Sequence, residues 1–390
     1  MAQGVNGPMV DIIGEIGRLR QRGERLALAS LIWSTGSIPM SDRAKMIITE
    51  DGSIIGTIGG GCLEAEVLSV GRAVLDTGAN QHISYTMTEK QAGESGLNCG
   101  GTVRIYTELV EPGAGGDLYD KVLNARADRL GGVLATLLST DSSHQSSKMW
   151  FGMDGSRFGS LQSTEVERLV EEKGSFVLQR EKGFIQVLPA AGEQNGGNIL
   201  GDSEMGKAAR SEVFIEPFLP EPILYVFGGG HVGEQIGALA KNVGFRVVII
   251  DDRPAFASWE RHPLVDECRV VELGEGLADL LVDDQSYLVA ATRGHQYDEI
   301  VVEQAIKTPA RYIGMLGSER KKLMLWKRIE GRGGKREGLD RVFAPIGVNI
   351  GADTPEEIAV SVVAELIAVR RGSRKVWKTK KSGAVPFLVE

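Results

Sequence analysis

The sequence predicts an α/β protein with a C-terminal doubly wound parallel sheet and an N-terminal α+β domain. Beyond residue 222, short apolar runs alternate with helical patterns, which is typical of parallel strands covered by helices on both faces. The pattern G-x-G-x-x-G at residues 228–233 lies between the first of these strands and a helix, and Asp251 ends the second strand. This order predicts a Rossmann-like domain. Before residue 113, several short strands and two helices predict the α+β part.

The composition narrows the class of protein. A chain of 390 residues has room for two or three domains. Its net charge of -8 argues against general nucleic-acid binding, which needs a basic surface. Three widely spaced cysteines do not form a disulfide framework. With no leader pattern and no run of about 18 apolar residues, we expect a cytoplasmic protein without a membrane partner.

Shifts in composition predict four segments. Residues 1–112 form the N-terminal domain, and residues 113–215 form an extension of it or a small middle domain. Residues 216–372 form the Rossmann-like domain, and residues 373–390 form a basic tail. A loop at 194–211 and a stiff linker with Pro217, Pro220 and Pro222 are expected before the Rossmann-like domain.

Apolar periodicity predicts the elements of the first two segments. Ile12, Ile13, Ile16 and Leu19 recur at helical spacing and predict the first helix. The remaining boundaries come from glycine clusters and strand-like runs. Helices are predicted at 11–22, 62–77 and 118–130, and strands at 26–33, 44–48, 53–56, 82–86, 102–109, 132–139, 149–151, 175–179 and 184–188.

The Rossmann-like segment has the strongest patterns. Thr354, Pro355 and Glu357 form a capping box at the start of the last helix, and Gly372 ends that helix. Its buried stripe is expected to contain Ile358, Val362, Leu366 and Val369. Strands are predicted at 223–227, 245–250, 286–292 and 311–315, and further helices at 230–243 and from Ser318 onward.

The glycine turn predicts a binding site for a phosphate group. Gly228, Gly230 and Gly233 have no side chains to block a pyrophosphate, and a helix N-terminus adds unpaired N–H groups. Asp251 is placed to accept a hydrogen bond from a ribose hydroxyl, and His231 lies within the turn. The bound ligand is either NAD(P) or another phosphate-bearing cofactor, because many Rossmann-like domains hold other ligands.

A second glycine cluster contains a cysteine. Gly59, Gly60 and Gly61 precede Cys62 at a predicted helix start, where the helix dipole lowers a thiol pKa. Such a sulfur can carry a persulfide, bind a soft metal or act as a nucleophile. The alternative is a buried structural cysteine at a tight turn. Cys99, beside two glycines, either faces the same pocket or fills a turn of its own.

Two further candidate sites follow core strands, at the edge where open α/β sheets bind ligands. His295, in the segment 292–298, is a candidate acid or base, with a surface or capping role as the alternative. Gly317 and Ser318 begin a helix and offer a second anion site, against a solvated basic helix face.

Together these motifs resemble the XdhC/CoxI family of molybdenum-enzyme maturation factors. The resemblance lies in Gly52–Glu66, including Cys62 and Glu64, and in the element Cys99–Gly101. It continues through segments 227–233, 292–295, 312–318, 345–347 and 351–364. The order and spacing of these motifs carry the resemblance, since each motif alone is unspecific.

The resemblance implies a chaperone that binds molybdenum cofactor, assists its sulfuration and inserts it into xanthine dehydrogenase or a related molybdenum hydroxylase. Cys62 would be the sulfur or metal contact, and the glycine turn would hold the phosphate or the dinucleotide end of the cofactor. Glu64 and Cys99 would belong to the cofactor site through their matching motifs. A homodimer is the common oligomer for such a chain.

Two other functions stay open at this point. One is an NAD(P)-dependent oxidoreductase, although the first domain supplies no evident hydride-transfer pocket. The other is a scaffold that docks the hydroxylase and a cysteine desulfurase without binding the cofactor. An accessory factor is therefore expected more than a free-standing enzyme.

Overall fold

The computed structural model describes residues 11–36, 38, 41, 43–59, 61–87, 101–113, 117–138, 147–188 and 212–373, without the side chains of Cys62, Met87, Gln179, Arg180 and His295. Within these ranges the chain forms two compact units. Described residues up to Pro220 belong to the first unit, and those from Glu221 belong to the second.

The first unit contains two five-stranded antiparallel sheets, each with two helices. The first sheet has the strand order β3-β2-β1-β5-β4. Its elements are α1 (Ile12–Gln21), β1 (Leu26–Gly36), β2 (Lys45–Thr49), β3 (Ile54–Thr57), α2 (Gly61–Thr77), β4 (Gln81–Met87) and β5 (Gly101–Val110).

The second sheet of this unit has the order β8-β7-β6-β10-β9. Its elements are α3 (Leu118–Ala127), β6 (Gly132–Leu138), β7 (Lys148–Gly152), β8 (Arg157–Gly159), α4 (Thr164–Arg180), β9 (Phe184–Val187) and β10 (Glu212–Phe218). Each long helix packs on its own sheet: Leu63 and Val67 of α2 share a core with β1 and β2, and Val170 and Val177 of α4 share one with β6 and β10.

Two expectations about this unit are wrong. Residues 175–179 belong to α4 and are not a strand. Val170 and Val177, seven residues apart, are both fully buried, so the apolar face has helical spacing that a five-residue window cannot reveal. Pro217 lies in β10, opposite Val133, and not in a linker. The neighbouring strand β9 pairs only with residues 212–215, so Pro217 has no ladder bond to lose on that side.

The second unit contains a six-stranded parallel sheet with the order β13-β12-β11-β14-β15-β16. Numbered within the sheet, this is the order 3-2-1-4-5-6 of dinucleotide-binding folds. The strands are β11 (Ile223–Phe227), β12 (Arg246–Asp251), β13 (Glu267–Val270), β14 (Ser286–Ala290), β15 (Tyr312–Met315) and β16 (Val342–Phe343). The doubly wound Rossmann-like sheet predicted for this segment is confirmed.

Helices cover both faces of this sheet. Val302 of α6 and Leu325 of α7 are buried on one face, and Ile236 of α5 and Val362 of α9 are buried on the other. The helices are α5 (His231–Asn242), α6 (His295–Ala305), α7 (Glu319–Gly331), α8 (Arg336–Leu339) and α9 (Pro355–Arg370).

The predicted start of α9 is present in the structure. The Thr354 side chain accepts a hydrogen bond from the N–H of Glu357, whose carboxylate accepts from Thr354. Val362 and Leu366 are fully buried, and Ile358 and Val369 are half-buried against the same core. Among the described residues, no helix is both long and apolar enough to cross a membrane.

Candidate functional site

The turn after β11 is shaped by close backbone packing. Gly228 has φ +114°, and a Cβ there would collide with the carbonyl of Ala291. A Cβ on Gly233 would collide with the carbonyl of Gly228, which fixes how closely α5 approaches the strand. Gly230 differs, because open space surrounds the position of its missing Cβ. Access to the first turn of α5 is therefore open at Gly230.

Asp251, at the end of β12, braces this turn. Its Oδ2 accepts a hydrogen bond from the N–H of Gly229 at 2.9 Å, and its two oxygens accept from the Arg253 guanidinium at 2.8 and 3.0 Å. The carboxylate is 1% exposed. Burial alone would raise its pKa, but the bonds from Arg253 and Gly229 outweigh burial and lower the pKa of Asp251.

Asp252, the next residue, is the carboxylate with a free acceptor at this edge. Its side chain is 10% exposed, and its Oδ2 accepts from Arg293 at 2.5 Å. Its Oδ1 is buried and has no hydrogen-bond partner within the described residues. Sequence spacing indicated Asp251 as the ribose-hydroxyl acceptor, and in the structure its oxygens accept hydrogen bonds from Gly229 and Arg253. The pair Asp251–Asp252 in the sequence was the available signal.

The segment after β14 supplies a third carboxylate. Asp298, fully buried at the start of α6, accepts hydrogen bonds from the backbone N–H of Thr292 at 3.1 Å and from its hydroxyl at 2.7 Å. Lys321 of α7 forms an ion pair with Asp298 and donates to the Leu316 carbonyl. The backbone of His295 begins α6 at this position.

Gly317 and Ser318 lie at the start of α7. Ser318 is the N-cap, and its hydroxyl accepts a hydrogen bond from the N–H of Lys321 at 3.2 Å. A Cβ on Gly317 would collide with the Lys321 side chain, and this collision favours glycine at the position. The two residues hold Lys321 and the end of β15 in place beside the segment after β14.

Arginines stand beside the glycine turn. Arg253 lies over the ring of Phe256 at 3.5 Å from its centroid, and Arg261 lies over the same ring at 4.9 Å. Arg261 also donates to the Gly229 carbonyl at 2.9 Å and pairs with Glu234. Arg293 forms an ion pair with Asp252, just beyond β12. The sequence motifs did not indicate Arg253 and Arg261, because neither arginine belongs to a recognised motif.

In the first unit, the cysteine-bearing turn joins β3 to α2. Thr57 donates a hydrogen bond from its hydroxyl to Glu64 at 2.6 Å, and its Oγ1 accepts from the N–H of Gly59 at 3.2 Å. Gly59 has φ +122° and Gly61 has φ +23°. The backbone of Cys62 lies in the first turn of α2, at the helix end where a thiolate is stabilised. Gly60 and Cys99 lie outside the described residues.

The third cysteine, Cys268, is in β13. Burial and the nearby carboxylates of Glu260 and Glu267 raise the pKa of its thiol. Less of the Cys268 thiol is therefore ionised at neutral pH than in an exposed cysteine, and Cys268 serves as the comparison for Cys62.

Two family models match this chain. The model of the XdhC Rossmann domain matches residues 224–366, and the model of the XdhC and CoxI family matches residues 19–86. Together they cover more than half of the sequence. The first matched range contains the glycine turn and the second contains the cysteine-bearing turn.

Individual relatives extend over most of the chain. A probable xanthine dehydrogenase subunit from Bacillus subtilis (strain 168) is 26% identical over 350 residues, 89% of this chain and 94% of that protein. The molybdenum cofactor insertion chaperone PaoD of Escherichia coli (strain K12) is 21% identical over 348 residues, 89% of this chain and 84% of that protein.

A solved structure has the same fold. The crystal structure of a xanthine dehydrogenase from Bacillus halodurans aligns with a TM-score of 0.69 at 23% identity, over 94% of this chain and 98% of that one. With both sequence models matched in the predicted order and both glycine turns inside them, the chain belongs to the XdhC and CoxI family.

Proposed function

We propose that this protein is a maturation factor for a molybdenum hydroxylase, which binds molybdenum cofactor as cargo and delivers it. The observation that carries the proposal is the turn at residues 228–233, with open space at Gly230 and arginines around it. A phosphate group of the cargo suits this place, because the first turn of a helix leaves N–H groups without partners. The names of two relatives, a molybdenum cofactor insertion chaperone and a xanthine dehydrogenase subunit, support the same cargo.

The residues of the second unit suggest how the cargo would be held. The N–H groups at Gly230 and His231 would bind phosphate oxygens, and Arg293 would balance their charge. The Oδ1 of Asp252, which accepts no hydrogen bond among the described residues and lies 3.9 Å from the Nε of Arg253, would accept one from a sugar hydroxyl if the cargo is the dinucleotide form. His295 and Ser318 stay candidate contacts on the neighbouring helix starts.

The cysteine-bearing turn would act on the sulfur chemistry of the cargo. Cys62 lies at the N-terminal end of α2, where the helix dipole favours its thiolate. A thiolate there would bind the metal of the cargo or carry sulfur for its sulfuration. In this proposal Cys62 is the sulfur or metal contact, Cys99 belongs to the cofactor site, and a cysteine desulfurase would supply the sulfur.

The test of the sulfur role is maturation of the hydroxylase in cells that make molybdopterin. We expect Cys62→Ala to lower the specific activity and the sulfurated fraction of the partner enzyme at least tenfold. Cys268→Ala is the matched control, because Cys268 lies in a strand of the other unit, and it should leave maturation unchanged. Full maturation by the Cys62→Ala chain would show that this cysteine has no sulfur role.

A second candidate function is an NAD(P)-dependent oxidoreductase. The strand order 3-2-1-4-5-6 and the acidic end of β12 favour it. Titration of NADH against tryptophan fluorescence distinguishes the two functions. Tight binding with turnover of a carbonyl substrate would favour the oxidoreductase, and binding of molybdopterin without turnover would favour the maturation factor. A homodimer is expected for either function and is tested by light scattering.

A further inference from the structure

The two halves of the first unit have the same order of elements. Each runs helix, three strands, helix, two strands, and each sheet has its third, second, first, fifth and fourth strands side by side. The first helix of each half has 10 residues, and the second has 17. We call residues 11–110 the first repeat and residues 117–218 the second repeat.

The strand registers match residue by residue. Lys45 of β2 lies opposite Ser30 of β1, and Lys148 of β7 lies opposite Thr136 of β6. In each repeat the lysine donates to the hydroxyl opposite it, at 2.9 Å for Lys45 and 2.8 Å for Lys148. The same side-chain chemistry therefore recurs at the same register position in both repeats.

The two lysines also exchange partners between the repeats. Lys45 forms an ion pair with Glu216 of the second repeat at 2.9 Å, and Lys148 forms one with Glu108 of the first at 2.8 Å. The two glutamates hold the same position on the last strand of their repeats. All four side chains are at most 13% exposed. This reciprocal pattern is that of an isologous, twofold interface.

The first helices of the two repeats, α1 and α3, also exchange ion pairs. Asp11 is the N-cap of α1 and Asp117 is the N-cap of α3. Arg20, near the end of α1, pairs with Asp117, and Arg126, near the end of α3, pairs with Asp11. Each helix thus supplies the arginine that neutralises the other helix's cap.

Residues near the twofold axis of such an interface should contact the equivalent residues of the other repeat, and two pairs do so. Arg104 of β5 and Glu212 of β10 hold equivalent positions and form an ion pair at 2.6 Å. The equivalent aromatics Tyr106 and Phe214 lie in one buried cluster with Ile32, built from both sheets.

The long helices carry the same buried residues. Val67 and Val74 of α2 correspond to Val170 and Val177 of α4, and all four are fully buried. A glycine stands midway between the valines in both helices. Counted from the first residue of each helix, these positions are the same, so the apolar face of the helix is conserved between the repeats.

The turn before each long helix has the same geometry. Gly56 and Gly159 both have φ +85°, and a Cβ on either would collide with the carbonyl of Lys45 or Lys148. In both repeats, the same backbone requirement therefore ends the third strand.

The hydrogen bonds that follow this glycine are also repeated. Thr57 donates to Glu64 at 2.6 Å, and Ser160 donates to Glu167 at 3.0 Å. In both turns the hydroxyl oxygen accepts the N–H two residues later, at 3.2 and 3.0 Å. A hydroxyl and a glutamate thus hold both turns.

The two turns differ in the residues that lie between the hydroxyl residue and the glutamate. Where the first repeat has Gly59 with φ +122°, the second has Gln162 with φ +63°, which a non-glycine residue rarely adopts. Where the first repeat has Cys62, the second has Glu165, an exposed carboxylate.

We propose that the first unit is an internal pseudo-dimer: the second repeat is a converted copy of the first, which occupies the packing face of the first repeat and no longer carries a thiol. The partner that this face fits is a second copy of the same fold, supplied within the chain. Residues 117–218 therefore complete the first repeat, and of the two equivalent turns only the one at residues 57–64 contains a cysteine. Because the Thr57–Glu64 bond persists in the copy without a cysteine, Glu64 is a positioning residue for the turn.

The sequence equivalence of 58–62 with 161–165 gives a direct test in the full-length chain. Leu161→Ile, Gln162→Gly, Ser163→Gly, Thr164→Gly and Glu165→Cys transfer the first turn onto the second repeat, in a chain that also carries Cys62→Ser, Cys99→Ser and Cys268→Ser. The rate of alkylation by iodoacetamide against pH gives the pKa of the introduced thiol. The reference is Cys62 in a chain with Cys99→Ser and Cys268→Ser.

We expect the introduced thiol to titrate within about half a pH unit of Cys62, and a thiol from Glu172→Cys, in the middle of α4, to differ from both. In a control variant, the same five-residue sequence is placed one position later, at 162–166. This variant should have a lower Tm than the variant with the matched transfer at 161–165. A matched transfer that behaves like Glu172→Cys, or that destabilises as much as the shifted block, would overturn the proposal. Only the role of Glu64 rests on the proposed function. If Cys62 and the introduced thiol have the same pKa but that pKa is the ordinary one of a cysteine, the result would contradict the proposed function and still support the pseudo-dimer.

A second measurement does not depend on the transferred turn. Lys45→Met and Lys148→Met each leave one buried glutamate unpaired, and each should raise the unfolding equilibrium constant on the order of a hundredfold in urea. The two effects should agree within about threefold, because the sites are equivalent. Strongly unequal effects would contradict the equivalence of the repeats.

Discussion

At the residue scale, Asp251 has a structural task that its position in the sequence conceals. Its oxygens are occupied by Gly229 and Arg253, and its pKa is lowered because these bonds outweigh its burial. A carboxylate with a lowered pKa stabilises the folded state above its unfolded pKa of about 3.9, and this contribution is lost as the pH falls through the folded pKa.

We therefore expect Asp251→Asn to lower the free energy of unfolding by about 2–3 kcal/mol at pH 7, because charged hydrogen bonds to the turn are lost. The difference from the wild type should shrink as the pH falls below about 4. Urea unfolding at pH 7 and at pH 3 measures it. Asp353→Asn, at an exposed side chain, is the control, and an equal loss at both pH values would contradict the role of the Asp251 charge.

The glycines of the turn differ in whether the structure has room for a side chain in their place. We expect Gly233→Ala to cost about 1–3 kcal/mol, because its Cβ would collide with the Gly228 carbonyl. Gly230→Ala should cost less than about 1 kcal/mol, because nothing lies within 4 Å of the added atom. Thermal unfolding of both variants compares them, and equal Tm values would contradict the packing described for the turn.

At the element scale, the capping box of α9 could be read directly from the sequence. Thr354→Ala removes the acceptor for the Glu357 N–H and should cost about 1 kcal/mol. Thr354→Ser keeps the hydroxyl and should restore most of the loss. Thermal unfolding is the measurement, and a Thr354→Ser variant as unstable as Thr354→Ala would show that the hydroxyl is not the source of the effect.

Short apolar strands such as β3, β9 and β15 were predicted close to their observed bounds, whereas the 17-residue helix α4 was not. The runs that became β11 and β12 are uniformly apolar and buried, so their type follows from composition. The C-terminal end of α4 looked like a strand, because Phe176 and Val177 stand in a short polar stretch. Its helical character depends on Val170, one heptad earlier, and on the sheet beneath both valines.

At the scale of the whole molecule, the sequence predicted the two glycine turns but not the repeat. The equivalent residues are few and far apart: a lysine, an aspartate helix cap, two valines and two glycines in each half. Their equivalence depends on pairing between strands about 15 and 80 residues apart, which a single sequence does not reveal. Asp252 was missed for a similar reason, since only packing distinguishes its free oxygen from the occupied oxygens of Asp251.

If the turn at residues 228–233 holds the phosphate end of molybdenum cofactor, as we propose, then molybdopterin binding depends on the open space at Gly230. The direct measurement is an anaerobic binding isotherm of molybdopterin for the full chain and for two tryptophan variants. Gly230→Trp fills the open space before α5, and Gly331→Trp is the control, because it also has open space but lies at the far end of α7. We predict near-stoichiometric binding by the wild type and by Gly331→Trp, and at least tenfold weaker binding by Gly230→Trp. Absence of molybdopterin binding by the wild type, or unchanged binding by Gly230→Trp, would contradict this account.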